Sequence, residues 1–162
     1  MEIERQFLVD DIKSVPLDMA RRRYSICQGY ISFNPEMRIR QLGNEYFFTF
    51  KSSGGLVRRE EEFKISEKDF LNLMPRITGK MLNKSRYEVM LDSGQIVIFD
   101  VYEDDLSGMY MAEVEFDDVD DANAFTPPEW FGREITYDTR LTAANLVKHG
   151  LKWFEGVLSE TR

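Results

Sequence analysis

The sequence has 162 residues, of which 31% are charged and 43% hydrophobic, and this balance predicts one globular domain spanning residues 1–162 rather than a disordered chain. The formal net charge of -8 argues against a general nucleic-acid binder or an anionic-membrane binder. A single cysteine and a single histidine exclude an internal disulfide framework and a Cys/His zinc site. No apolar run is long enough to span a bilayer and no signal-peptide pattern is present, so we expect a cytoplasmic protein.

Alternation of apolar and polar residues recurs along the chain and predicts about eight strands joined mostly by short turns. Strong turn signals separate the strands, among them Asn34-Pro35, Gly43-Asn44 and Asp92-Ser93-Gly94. The pattern favours a mainly β fold, an eight-stranded antiparallel barrel or tunnel. The predicted strands are residues 2–9, 23–32, 36–42, 46–51, 56–65, 80–91, 95–103 and 110–116.

Three segments have helical rather than alternating patterns. Ser66 is a good N-cap for a short helix that ends at Pro75, and residues 118–125 form a second short helix. Residues 142–158 carry apolar side chains at helical spacing and predict one C-terminal helix. We expect this last helix to cover one end of the barrel.

The first strand places two carboxylates side by side. Glu2, Glu4 and Gln6 share one face of a strand, while the opposite face is apolar except for Arg5. Neighbouring carboxylates repel each other unless a cation or a basic group lies between them. The segment therefore predicts a positively charged species at this face.

Similar pairs of charges recur on later strands. Acids are paired at 60/62 and 113/115, and bases at 38/40 and 84/86. In a closed barrel with an apolar outer surface, these pairs would face one lumen. Converging carboxylates bind a hard divalent cation, and converging Arg and Lys side chains bind phosphate oxygens, so the two together suit a metal-bound polyphosphate.

Several short motifs carry a family resemblance. The start Glu2-Ile3-Glu4-Arg5-Gln6 resembles the ExExK signature of the CYTH superfamily, the triphosphate tunnel metalloenzymes. Nearly the whole chain is similar to the short bacterial members that resemble inorganic tripolyphosphatases. The remaining motifs, in order, are Gln28-Gly29-Tyr30, Arg38-Ile39-Arg40, Thr49-Phe50-Lys51, Glu60-Glu61-Glu62, Lys84-Ser85-Arg86-Tyr87, Asp100-Val101, Glu113-Val114-Glu115-Phe116 and Glu134-Ile135-Thr136.

The resemblance implies a role for each matching residue. Glu2, Glu4, Glu113 and Glu115 would hold Mg²⁺ or Mn²⁺, and Glu60, Glu62 and Asp100 would position a second metal ion or the attacking water. The triphosphate would be bound by basic side chains, namely Arg38, Arg40, Lys51, Arg58, Lys84 and Arg86. We further predict that Lys84, desolvated among other cations, has a lowered pKa and acts as a general base with Tyr30 as its hydrogen-bond partner.

The chain departs from the family signature at Gln6, where the family has lysine. Glutamine still donates a hydrogen bond but carries no charge, so we expect weaker phosphate binding or an altered triphosphate position. Near the C-terminus, only Arg140 remains of the family's usual Arg-Tyr-Ser-Asn run.

The predicted activity is metal-dependent hydrolysis of a triphosphate, with inorganic tripolyphosphate as the first candidate. Three alternatives remain open: a class IV-type adenylate cyclase, a non-catalytic binder of polyphosphate or nucleotides, and a plain barrel whose charged faces meet solvent. We expect a small-molecule triphosphate partner, no nucleic acid or membrane, and a monomer or homodimer.

Overall fold

Nine antiparallel strands and four α-helices make up residues 1–160, the part of the chain that this computed structural model describes. The predicted single domain, 1–162, also includes residues 161 and 162, which lie outside that part. The strands are β1 (Glu2–Leu8), β2 (Ala20–Phe33), β3 (Glu36–Leu42), β4 (Glu45–Lys51), β5 (Val57–Arg58), β6 (Glu60–Ile65), β7 (Leu82–Met90), β8 (Ile96–Tyr102) and β9 (Tyr110–Glu115). The helices are α1 (Glu67–Leu73), α2 (Val119–Ala124), α3 (Ala143–His149) and α4 (Leu151–Glu160).

The strands form one sheet that curls into a nearly closed barrel. Their order is β5-β1-β9-β8-β7-β2-β3-β4-β6, so β5 and β6 lie at opposite edges of the sheet. Along the chain these two edge strands are separated only by Arg59, which brings the edges together. The predicted antiparallel barrel is therefore confirmed.

The barrel has nine strands instead of eight because the predicted strand 56–65 is divided at Arg59. β5 pairs with β1, where Glu2 lies opposite Arg58, and β6 pairs with β4, where Lys51 lies opposite Glu60. One continuous segment, residues 57–65, thus supplies both edge strands of the sheet. Side chains 58, 60 and 62 all line the interior, as the prediction required.

The short helices agree with their sequence signals, but the C-terminal prediction was wrong in one respect. Ser66 caps α1 by accepting a hydrogen bond from the Asp69 backbone N–H at 3.0 Å. The single helix predicted over 142–158 is instead two helices, α3 and α4, separated by Gly150. That glycine has a φ of 87°, a left-handed conformation that ends α3 and that glycine adopts without steric cost.

Two apolar clusters cover the barrel. One lies on its outer surface, where β-strand residues such as Val97, Phe99 and Val114 pack with Phe131 and the buried face of α2. The other packs inward-facing residues of the barrel, including Leu8 and Met111, against Leu146 and Phe154 of the C-terminal helices. The second cluster places α3 and α4 over one end of the barrel, as predicted.

Arg5, the polar exception on the apolar face of β1, is neutralised by a partner distant in sequence. Its Nε and Nη2 donate to the Glu134 carboxylate at 2.8 and 2.7 Å, and its Nη1 donates to the carbonyls of Ala122 and Phe125 at 2.9 and 3.0 Å. The Thr136 hydroxyl donates to the same carboxylate at 2.8 Å. Arg5 thereby attaches α2 and residues 134–136 to the first strand.

Candidate active site

Alternate residues of eight strands point into one cavity of about 320 Å³ inside the barrel. All of the site residues predicted from the sequence line it except Glu4 and Tyr30. Those lining residues are Glu2, Gln6, Arg38, Arg40, Lys51, Arg58, Glu60, Glu62, Lys84, Arg86, Asp100, Glu113 and Glu115. The alternative of charged strand faces directed outward to solvent is therefore wrong.

Arg38 and Arg40 lie next to each other on β3 and are both buried. Arg40 Nε donates to the Gln28 side-chain oxygen at 2.9 Å, and Arg38 Nη1 donates to Glu36 at 2.8 Å. Burial and the charges of Arg38 and Arg86 lower the pKa of Arg40 to about 9. These neighbouring positive charges repel one another, and an anion in the cavity would relieve that repulsion.

One donor of Arg38 has no acceptor. Its Nε is buried and makes no hydrogen bond with any of the residues 1–160. An unsatisfied buried donor costs about 1–3 kcal/mol, which a ligand oxygen would recover. The cavity is thus prepared for an anionic acceptor.

Lys84, Arg86 and Asp100 form a buried triad across β7 and β8. Asp100 accepts from Lys84 Nζ at 2.7 Å and from Arg86 Nε and Nη2 at 2.8 and 2.9 Å. Although burial by itself would raise it, the pKa of Asp100 is held well below its usual range by these two cations. Asp100 is therefore a fixed negative charge that orients both basic side chains.

Lys84 has the titration properties expected of a general base. Burial, reinforced by the charges of Arg86 and Arg40, outweighs the attraction of Asp100 and lowers the pKa of Lys84 to about 7. The amine therefore loses its proton more readily than an exposed lysine does. Such a pKa is well matched to taking a proton from a reacting water molecule.

Tyr30 does not act as a partner of Lys84 in this structure. Its hydroxyl accepts from the Gln28 amide at 2.9 Å, its ring is fully buried, and no hydrogen bond joins it to Lys84 within the described part of the chain. Burial raises the pKa of Tyr30 to about 12. Tyr30 supports Gln28, which in turn orients Arg40.

Lys51 lies between two carboxylates of the cavity, those of Glu2 and Glu60. Lys51 Nζ lies 2.9 Å from Glu2 and 3.1 Å from Glu60, so this amine bridges β1 and β6. Burial, a hydrogen bond with Glu60 and the charge of Glu4 raise the pKa of Glu2 to about 8, even though Lys51 lowers it. Burial and the charge of Glu113 raise the pKa of Glu4 to about 7.

The raised pKa values of Glu2 and Glu4 are relevant to whether the acidic residues fit a metal ion. No three acidic, histidine or cysteine side chains among residues 1–160 are clustered tightly enough to form a ready-made metal site. The available donors are nevertheless carboxylate oxygens, the ligands that hard divalent cations prefer. Because Glu4 raises the pKa of Glu2 and Glu113 raises that of Glu4, a cation near these carboxylates would be favourable, so their chemistry fits a divalent ion.

Glu4 and Gln6 are neighbours on the same face of β1. Gln6 Nε2 donates to Glu4 Oε1 at 2.7 Å, and Glu4 is buried. The glutamine that replaces the family's lysine therefore binds Glu4 without neutralising it. The positive charge that the family's lysine would supply is therefore absent beside Glu4, the most buried acid of the first strand.

Glu36 also lines the cavity, and the sequence interpretation missed it. Burial alone would raise its pKa, but the charges of Arg38, Lys51 and Arg58 outweigh this effect and lower it. The signal was available, since Glu36 shares a strand face with Arg38 and Arg40. It was overlooked because it is an acid without an acidic partner two residues away.

Comparisons with known proteins identify relatives of this chain. No protein-family model matches the sequence. The chain is 43% identical over 142 residues to an inorganic triphosphatase of Nitrosomonas europaea, covering 86% of this chain and 91% of that protein. It is 32% identical over 161 residues to an inorganic triphosphatase of Acetivibrio thermocellus, covering 95% and 97%.

Solved structures show the same fold. A crystal structure of an inorganic triphosphatase superposes with a TM-score of 0.65 at 37% identity, covering 91% of this chain and 94% of that one. A putative adenylyl cyclase from Hippeastrum, described as having a dominant triphosphatase activity, superposes with a TM-score of 0.58 at 14% identity, covering 76% and 83%. At that identity the likeness concerns the fold alone.

In the described part of the chain, no helix has the length and apolar character needed to cross a membrane.

Proposed function

The chain belongs to the CYTH superfamily, the triphosphate tunnel metalloenzymes, and on that premise we propose that it hydrolyses inorganic tripolyphosphate with a divalent metal ion. The observation that carries this proposal is the convergence of six basic side chains and a group of carboxylates on one cavity inside the barrel. The names of its two curated relatives support hydrolysis over the adenylate cyclase alternative. The orphaned Nε of Arg38 supports an anionic ligand over an empty structural barrel.

The basic side chains would bind the triphosphate and stabilise its transition state. Arg38, Arg40 and Arg86 carry the planar guanidinium groups that bind phosphate oxygens in pairs, and Lys51, Arg58 and Lys84 add charge around them. Phosphoryl transfer develops charge on the oxygens around the reacting phosphorus. Cations that are already fixed by Glu36, Gln28 and Asp100 stabilise this charge without reorganising.

The acidic residues would hold the metal. Glu2, Glu4, Glu113 and Glu115 are the proposed ligands of one Mg²⁺ or Mn²⁺, while Glu60 and Glu62 are proposed to hold a second ion or the attacking water, and Asp100 to act through Lys84 and Arg86. When bound, such an ion neutralises phosphate charge and acidifies a water molecule. Lys51, which here bridges Glu2 and Glu60, would add a further positive charge for the triphosphate.

The chemical step would be attack of water on a terminal phosphorus. The new bond joins the water oxygen to that phosphorus, and the bridging P–O bond breaks to leave orthophosphate and diphosphate. Lys84, with its pKa near 7, would accept the proton that the water loses. Asp100 keeps the amine directed into the cavity during this transfer.

Phosphate release from tripolyphosphate, with Mg²⁺ and Mn²⁺ in turn, tests the proposal. ATP and thiamine triphosphate serve as competing substrates, and cyclic AMP is measured in the ATP reactions. Tight tripolyphosphate binding without turnover in either metal would instead favour a non-catalytic binder. Cyclic AMP formation without phosphate release would favour the cyclase.

A pair of matched variants links the activity to the cavity. Arg38→Met removes a buried cation of the cavity, whereas Arg59→Met removes an exposed cation from the outer surface. We expect the first to lower kcat/KM about 10²–10³-fold, the usual effect of losing one preorganised donor, and the second to leave it unchanged. Equal effects of the two substitutions would contradict the proposed site.

A further inference from the structure

A second cavity of about 280 Å³ adjoins the first one, and nothing above assigns it a role. Glu36, Arg58 and Thr142 line both cavities and so form the boundary between them. Its other lining residues are mostly polar, among them Ser52, Ser53, Asn34, Asn145 and Lys148. The second cavity therefore adjoins the polar interior of the barrel across these shared residues.

Lys148 supplies the second cavity with a cation. Its side chain is exposed, and its Nζ lies 5.6 Å from the centre of the Phe33 ring in a cation–π contact. No carboxylate pairs with this amine among residues 1–160. The cavity therefore offers a positive charge to an anion that reaches it.

The boundary that the two cavities share carries a negative charge. The Glu36 carboxylate is 6% exposed and lies 2.8 Å from Arg38 Nη1 and 3.8 Å from Arg58 Nη2. Arg58 is held in turn by two hydrogen bonds to the Ser52 carbonyl, at 3.0 and 2.9 Å. Glu36 thus accepts a hydrogen bond from Arg38 and places its negative charge near Arg58, at the boundary that both cavities share.

We propose that Glu36 sets the length of the phosphate chain that this protein accepts. This inference rests on the function proposed above. A carboxylate at the boundary repels the oxygens of any phosphate beyond the third and occupies an Arg38 donor that would otherwise be free to bind it. Without that charge, Arg58 and Lys148 form a path along which a longer linear polyphosphate extends from the first cavity into the second.

The test compares hydrolysis of tripolyphosphate with hydrolysis of a longer linear polyphosphate by wild type and by Glu36→Gln. We expect the ratio of kcat/KM for the longer chain to that for tripolyphosphate to rise about tenfold in the variant, because a repulsive group has been removed. Glu61→Gln makes the same chemical change on the exposed outer face of β6, and its ratio should equal that of wild type. An unchanged ratio in folded Glu36→Gln would overturn the inference.

Lys148→Met shows whether the gained activity uses the second cavity. Combined with Glu36→Gln, it should abolish the gain on the longer chain, whereas alone it should leave tripolyphosphate hydrolysis as in wild type. A gain that survives in the double variant would contradict the proposed path.

Two further measurements keep the result interpretable. Glu36→Asp keeps a charge beside Arg38 but withdraws it from the boundary, so it should shift the ratio in the same direction by a smaller factor, even if Glu36→Gln folds poorly. Wild-type activity on tripolyphosphate, measured in the same assay, reports on the proposed function separately. If wild type is active and both variants keep its ratio, only the role of Glu36 fails.

Discussion

The link between Arg5 and Glu134 provides a quantitative prediction about stability. Arg5 makes four hydrogen bonds, two of them to a carboxylate, and its side chain is 14% exposed while that of Glu134 is 28% exposed. Arg5→Met keeps most of the apolar contact with Phe7 and Phe125 but removes every donor. The carbonyls of α2 and the carboxylate then lose their shared partner.

The expected cost follows from burial. Removing one partner of a buried ion pair costs about 3–5 kcal/mol, and partial hydration of Glu134 places this case nearer ~2–4 kcal/mol. For a domain of this size, each kcal/mol lowers Tm by about 2–4 °C, so Arg5→Met should melt roughly 4–16 °C below wild type. Urea unfolding of both proteins measures the difference in free energy directly.

A double-mutant cycle with Glu134→Gln isolates the pair. We expect the two substitutions to be strongly non-additive, with a coupling of at least about 1 kcal/mol, since each removes the same interaction. A loss below about 1 kcal/mol in Arg5→Met, or additive effects in the cycle, would refute the assignment of Arg5 as a structural anchor.

The same pair predicts a pH dependence. Hydrogen bonds from Arg5 and then from Thr136 lower the pKa of Glu134 below its ordinary value of 4.5, despite some burial. A carboxylate with a lowered folded-state pKa contributes stability above its unfolded pKa, and that contribution is lost as pH falls through the folded value. The stability gap between wild type and Arg5→Met should therefore be constant near neutral pH and narrow below about 4.5. A gap that stays constant down to the acid transition would contradict it.

Three further predictions concern the interior. Gln6→Lys places a cation beside Glu4 and should raise kcat/KM on tripolyphosphate about tenfold, so an unchanged or lower rate would contradict the expectation that Gln6 weakens phosphate binding. Asp100→Asn leaves two buried cations without their counter-charge and should cost about 3–5 kcal/mol in urea unfolding, with a loss under 1 contradicting the triad. Gly29→Ala brings a methyl group to 2.5 Å from Met81 Sδ and should lower the free energy of unfolding by about 1–3 kcal/mol. Stability equal to that of wild type would show that the Met81 side chain moves aside without cost.

Most of the site was predictable because strand side chains alternate. Once β1, β3, β7 and β9 were assigned, the period of two decided which charges share a face, and a closed barrel turns those faces toward one space. The cavity residues that the sequence did not predict were those outside a repeating charge pattern. Glu36 is one example, and Thr142 at the start of α3 is another.

Partner assignments were much less accessible to the sequence. Lys84 was predicted to contact Tyr30, yet it donates to Asp100 on the neighbouring strand, and Tyr30 instead supports Gln28. The register of β7 against β8, which places Arg86 opposite Asp100, decides this, and register depends on pairing over the whole sheet.

The amino-acid sequence by itself determined the number and direction of the charged faces, the helix starts and the family, because local periodicity, capping residues and ordered motifs are written along the chain. Only the tertiary structure decided that strand 56–65 divides at Arg59 to close the barrel, that Arg5 pairs with Glu134, and that Glu36 stands between two cavities. Each of these depends on residues far apart in sequence meeting across the barrel. Such meetings follow from packing and register of the complete sheet, which no local pattern encodes.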